Sequence, residues 1–293
     1  MRPFTRSAHL LIAAALATGV GVVTTAPGIA LADDETHVCS GTPSAPGTLS
    51  GSFDSVVVRG FCQVNAGVAR VEDDLTVANS GVLIAAFGRN SSRLIVGGDV
   101  TVADHAVAVL GCNPSSSPCF DDNPSAPTLT SAPRIGGNLS GDEALGIIVH
   151  SARVGGWVHQ IGGGGGKTCT PIGPFAALGF PVFSAYEDST IGGGLTLHGL
   201  NSCWAGVIRN QIGGTVLIDH DRLADPDAIE IESNNIGGNL VCHEDSRVWD
   251  SSENGQSIYP RTAHPNTVAG DRQGQCVLAT PTTNPGHMGP GPF

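Results

Sequence analysis

The chain has 293 residues, with 14 Lys+Arg against 26 Asp+Glu, 41 Gly and only 14% charged residues. So few charges and so much glycine exclude a helical bundle, which needs charged solvent faces and avoids glycine. A net charge of -12 with a single lysine, Lys167, argues against a nucleic-acid partner, because phosphate binding draws on clustered Lys and Arg.

Residues 1–32 read as an export signal. Arg2 and Arg6 supply the positive start, Leu10 to Val23 the apolar stretch, and Ala30-Leu31-Ala32 a small-residue cleavage site. The mature chain would begin at Asp33 and be secreted. No later apolar run reaches the ~18 residues that cross a bilayer, so membrane insertion is not expected. Eight cysteines in an exported chain predict disulfides, not metal thiolates.

Residues 33–62 are expected to form an N-terminal cap segment, and residues 63–278 a repeat domain. The repeat is an apolar-Gly-Gly-x-apolar phrase, seen at Val96-Gly97-Gly98, Ile135-Gly136-Gly137, Val154-Gly155-Gly156, Ile191-Gly192-Gly193, Ile212-Gly213-Gly214 and Ile236-Gly237-Gly238. A degraded copy, Val268-Ala269-Gly270, closes the series. The second glycines are 39, 19, 37, 21, 24 and 32 residues apart, so a unit of about twenty residues alternates with units that carry insertions. After each Gly-Gly, apolar residues alternate with others, as in Val100 and Val102, Leu195 and Leu197, or Val216 and Ile218. That is the period of a strand with one buried face. A second apolar column precedes the corner, at Val149, Tyr186, Val207 and Ile231. The glycine pair marks a corner where a side chain would clash or φ must be positive.

A unit this short cannot close its own core, so copies must stack, strand upon parallel strand. The predicted fold is all-β: a single-stranded parallel β-helix of about eight coils with loop insertions. Coil lengths of nineteen to twenty-four favour a right-handed solenoid. An antiparallel sandwich is the alternative and would need hairpin turns between successive strands. Asn210, Asn234 and Asn266 fall at one phase and should form an inward ladder. Near neighbours in the stack suggest four bridges: Cys39 with Cys62, Cys112 with Cys119, Cys169 with Cys203, and Cys242 with Cys276. Residues 279–293, rich in Pro and Gly, read as a disordered tail.

The Ile-Gly-Gly-Asn-Leu copies, with Asn266-Thr267-Val268-Ala269-Gly270 and the closing Gly274-Gln275-Cys276, resemble a group of uncharacterised exported repeat proteins of actinobacteria. The resemblance spans about residues 39 to 278 and is most specific in the last two copies. It implies a secreted solenoid and brings no catalytic residues with it. The long insertions and acidic turns depart from the group's compact repeats.

Five to seven residues after the second glycine stand His198, then Asp219-His220-Asp221, then His243-Glu244-Asp245. Equal phase in a stack means adjacency at one strand spacing, so these imidazoles and carboxylates could converge. His198, Asp219, His220, His243 and Glu244 are the candidate metal ligands, for a weakly bound divalent cation that the fold would not require. The simpler reading is a polar turn column facing water. Asp104-His105 and Asp142-Glu143 share the phase and extend an acidic edge. Gly162 to Thr168 lacks the first glycine of a phosphate loop, since Ile161 stands there. Trp157, Trp204 and Trp249 could stack on sugars, which makes a cell-wall or extracellular glycan the candidate partner. The expected function is therefore a secreted, non-catalytic solenoid, structural or ligand-binding, at the cell surface or in the extracellular matrix. A polysaccharide lyase or glycoside hydrolase using the Asp/His/Glu column is the alternative.

Overall fold

Each repeat presents one strand whose alternate side chains are apolar, and such a strand gains stability only when that face is covered by another. The chain solves this by stacking copies of itself. A computed structural model describes residues 36–226, 228–251 and 265–277; the expected signal at 1–32 and tail at 279–293 lie outside the described residues.

Among the described residues three long parallel sheets result, of ten, nine and nine strands, with a two-stranded one between Asn201–Ser202 and Arg222–Leu223. The first runs from Thr36–Cys39 to Arg272–Gly274, the second from Gly47–Thr48 to Val248–Ser251, the third from Gly51–Phe53 to Thr267–Val268. The chain visits them in a fixed order. Leu195–His198 lies in the first sheet, Trp204–Ile208 in the second and Gln211–Ile212 in the third, after which Gly213-Gly214 turns into Val216–Asp219 of the first again. Each of these strands pairs in parallel with its counterpart one repeat on. That pattern is an all-β solenoid and rules out the antiparallel sandwich. The stack also starts earlier than expected: Thr36–Cys39 already pairs with Ser55–Val58, so the proposed cap segment contributes rungs of its own.

The two apolar columns form the interior. Leu75, Val100, Leu139, Val158, Leu195, Val216 and Leu240 stand in register through the first sheet, all essentially unexposed. Val149, Tyr186, Val207 and Ile231 do the same through the second. Each such side chain contributes about 1.5–3 kcal/mol by leaving water.

The glycine corner has a steric cause. A Cβ on Gly213 would stand 2.2 Å from the carbonyl oxygen of Gly192, and one on Gly192 equally close to that of Gly155. In these central coils the first glycine leaves no room for a Cβ against its own copy in the preceding coil, whereas the end copies carry Glu72 and Ala269 at that place; neither Gly192 nor Gly213 has a positive φ. One residue past the pair, a side-chain acceptor caps the next coil's backbone: Asp74 Oδ1 accepts the Asp99 N–H, Asp99 Oδ1 that of Asn138, and Asn138 Oδ1 that of Trp157.

All four expected disulfides are present, with Cα separations of 6.3, 5.0, 4.5 and 5.4 Å in chain order. Cys39–Cys62 and Cys242–Cys276 lie in the core near the two ends of the described stack. Cys112–Cys119 closes a surface loop, and Cys169–Cys203 ties the second insertion to a coil. This insertion carries a short helix, Gly173–Leu178, begun by Pro174 and ended by Gly179 in the left-handed conformation. Its Phe175 packs edge-on against Phe183, which in turn meets Trp204, burying the outer face of the second sheet as well. Strands such as Phe183–Glu187 are thus covered on both sides.

Candidate functional site

The first sheet ends at a corner that repeats in every well-formed coil. Ile161, His198, Asp219 and His243 are cross-strand partners in register. The following residue turns the chain with positive φ: Gly162 at 65°, Gly199 at 70°, His220 at 60° and Glu244 at 52°. The backbone N–H of Gly162, Gly199 and His220 each donates to the carbonyl of the next coil's strand-end residue, which locks the corners into a column. His220 and Glu244 hold a conformation that favours glycine or asparagine, so the corner projects their side chains at the cost of mild strain.

The structure brings four of the five candidate residues together. His198 Nδ1 lies 2.8 Å from Asp219 Oδ2, and His220 Nδ1 lies 2.8 Å from Asp219 Oδ1. His220 Nε2 reaches Glu244 Oε2 at 3.1 Å. One carboxylate thus joins two imidazoles from adjacent coils, and a third coil supplies Glu244. The fifth residue, His243, shares the register, yet its ring lies beside Gly274, where an added Cβ would come within 2.6 Å of His243 Nδ1. Both oxygens of Asp219 are already engaged by the other two rings. Of the wider acidic edge, Asp104 pairs with its neighbour His105, and Glu143 accepts the Gly163 N–H. These groups stay local.

Burial opposes ionisation of Asp219, but the hydrogen bonds from His220 and His198 outweigh it and hold the carboxyl below the usual range. The hydrogen bond to Asp219 raises the pKa of His220 against a smaller desolvation penalty. Two residues on, a second column runs inward: Asp221 Oδ1 accepts the Leu200 N–H, Asp245 Oδ1 that of Asp221, and Gln275 Oε1 that of Asp245. Asp221 is fully buried, and burial together with the charges of Asp245 and Asp219 pushes its pKa up to about 7. Asp245 rises to about 6, chiefly by burial and also by Asp219, against the hydrogen bond from Asp221. The sequence offered Asp221 and Asp245 as members of polar turns; that they cap backbone inside the stack follows only from the register.

The tryptophans separate clearly. Trp204 and Trp249 are buried, at 1% and 5% exposure, and cannot meet a sugar face; Trp157 is 45% exposed. Its indole lies over Gly193 and Gly194, where any Cβ would strike the ring, and stacks on His159 at 5.8 Å and 11°. The third glycine of that corner, Gly194, is explained by this contact together with the Thr215 carbonyl, which an added Cβ would approach to 2.4 Å.

Sequence reasoning missed two features of the second sheet's outer face. One is a buried polar group: Arg209 reaches Glu187 at 2.6 Å and Asp188 at 2.9 Å, and burial drives His150 down to about 4, offset by Asp188. At neutral pH His150 is therefore uncharged, and its 3.7 Å approach to Glu187 is not an ion pair. The other is an uncharged cleft of about 560 Å³ over Val82, Ile84, Val107, Val109 and Ile148, flanked by the helix at Phe175. Neither insertion showed in sequence where it would fold back. The run Gly162 to Gly166 is a loop in which all five glycines have positive φ.

No protein-family model, curated protein or solved structure matches the chain.

Proposed function

We propose that the chain is a secreted, non-catalytic solenoid that serves as a structural or ligand-binding element at the cell surface or in the extracellular matrix. The observation that carries this reading is the placement of the His198, Asp219, His220 and Glu244 cluster on an open corner. His198, His220 and Glu244 are 47%, 48% and 69% exposed. Catalysis on a glycan by two carboxylates needs them to flank the scissile bond at a fixed separation, in a cleft that seats the sugar on both sides. An exposed corner suits binding instead. Four disulfides fit an oxidising compartment outside the cytoplasm, and no helix among the described residues is long and apolar enough to cross a membrane. The resemblance to exported actinobacterial repeat proteins agrees with export.

Parallel crossover connections are right-handed in the great majority of sheets, which supports a right-handed solenoid. The nine- and ten-stranded sheets favour nine or more coils over eight, because the coils before residue 95 lack the Gly-Gly phrase by which coils are counted in sequence. Of the three tryptophans, Trp157 is the one exposed to a glycan partner.

The alternative, a polysaccharide lyase or glycoside hydrolase, would draw on the same His198, Asp219, His220 and Glu244. Both are tested together by incubating the secreted, disulfide-bonded protein with insoluble cell-wall material and a panel of soluble polysaccharides. Co-sedimentation without release of reducing ends or unsaturated products supports the binding solenoid. Turnover that disappears in Asp219→Asn overturns it in favour of the enzyme.

A further inference from the structure

Three groups from two adjacent coils offer ligand atoms that all lie within 4.8 Å of one another: His198, Asp219 and His220. We propose that they form a site for a divalent transition cation of the zinc class, and that Glu244 is its positioning residue. This goes beyond the solenoid reading and does not depend on it.

The donor set fixes the class of ion. Two imidazole nitrogens and one carboxylate suit zinc, cobalt, nickel or copper, whereas calcium takes six to eight oxygens and magnesium keeps most of its waters. The orientation of the rings fixes the ligand atoms. Nδ1 of both His198 and His220 faces Asp219 at 2.8 Å, so the cation sits where hydrogens now bridge nitrogen and oxygen. Each ring then carries its proton on Nε2. For His220 that Nε2–H points at Glu244, 3.1 Å away, an arrangement in which an outer carboxylate fixes the tautomer and orientation of a metal-bound histidine. Solvent fills the remaining positions, as the exposure of both rings requires.

His198, Asp219 and Glu244 belong to three successive coils, so a bound ion would clamp them on the outside as Cys242–Cys276 does on the inside.

The test is a titration of the disulfide-bonded full chain with cobalt(II) chloride, followed by displacement with zinc chloride. The expected result is a saturable visible spectrum of imidazole-bound cobalt at one equivalent per chain, erased by zinc and untouched by calcium. His198→Ala and His220→Ala should each weaken binding at least about tenfold, while His243→Ala and His105→Ala leave it within about twofold. Glu244→Ala should weaken it about tenfold and Glu244→Gln, which keeps an acceptor for the Nε2–H, should recover most of that loss. Because these side chains are exposed, thermal midpoints in chelator should match the parent and certify the fold. The proposal is overturned by an absent or unsaturable cobalt signal, by competition from calcium, by binding that survives loss of both His198 and His220, or by equal dependence on His243. Loss of cation binding alone would leave the secreted solenoid standing.

Discussion

Asn234 Oδ1 accepts two hydrogens from Asn210, the side-chain amide at 3.0 Å and the backbone N–H at 2.9 Å. Asn266 Oδ1 does the same for Asn234, and Asn210 Oδ1 accepts the Ser189 N–H, so one amide per coil satisfies buried backbone at the turn between second and third sheets. Asn234→Leu leaves the buried Asn210 N–H and side-chain amide without the acceptor they share, and takes from the Val207 carbonyl the hydrogen that Asn234 Nδ2 donates at 2.7 Å. At about 1–3 kcal/mol for each stranded group, the variant should lose about 3 kcal/mol in chemical denaturation. A loss under about 0.5 kcal/mol would show that water replaces the ladder.

Gly213 and Gly199 make a controlled pair. Alanine at Gly213 must displace the carbonyl of Gly192 from 2.2 Å, whereas alanine at Gly199 meets nothing within 4 Å and suffers only from a φ of 70°. Gly213→Ala should therefore cost about 3 kcal/mol or more and Gly199→Ala about 1 kcal/mol. Comparable denaturation midpoints for the two would refute the steric account of the Gly-Gly phrase.

What could be read from sequence was whatever repeats. Gly-Gly phrases, the Val149–Tyr186–Val207–Ile231 column, the asparagines and the His198–Asp219 pair all recur at fixed offsets, and stacking turns an equal offset into contact. The three sheets were harder to see, because the third contributes strands of only two residues, such as Gln211–Ile212. His243 shows the limit of the method: register placed it beside Asp219, but its ring lies against Gly274 of the next coil while Asp219 holds the other two rings. The insertions escaped altogether. Nothing periodic says that Phe175 returns to cover Phe183 and Trp204, so the cleft and the buried Arg209 group became visible only in the fold.

The disulfides should contribute unequally. Loop-closure entropy assigns about 4 kcal/mol to Cys242–Cys276, which spans 34 residues, and about 2.5 kcal/mol to Cys112–Cys119, which spans seven. A thiol assay on the native protein should find no free cysteine. Replacing each pair by serines should lower the denaturation free energy in that order. Detection of two or more thiols would contradict the pairing.

Asp221 ties stability to pH. Its folded pKa of about 7 stands above the ordinary 3.8, so between those values the folded state holds a proton that the unfolded state has lost. Stability contributed by this group is present below pH 4 and falls as pH rises toward 7. His150 acts in the opposite sense: buried and held down to about 4 from 6.5, it makes the unfolded state bind the extra proton, so its contribution grows from pH 4 to 6.5. Asp245, raised to about 6, adds to the falling slope, and His150 opposes both. Asp221→Asn keeps an acceptor for the Leu200 N–H but removes this residue's share of the falling limb, so the variant should match the parent near pH 4 and exceed it by about 2–4 kcal/mol at pH 8. Denaturation of both proteins in chelator from pH 4 to 8 measures the divergence. A difference that does not change with pH would mean that Asp221 stays ionised in the folded chain.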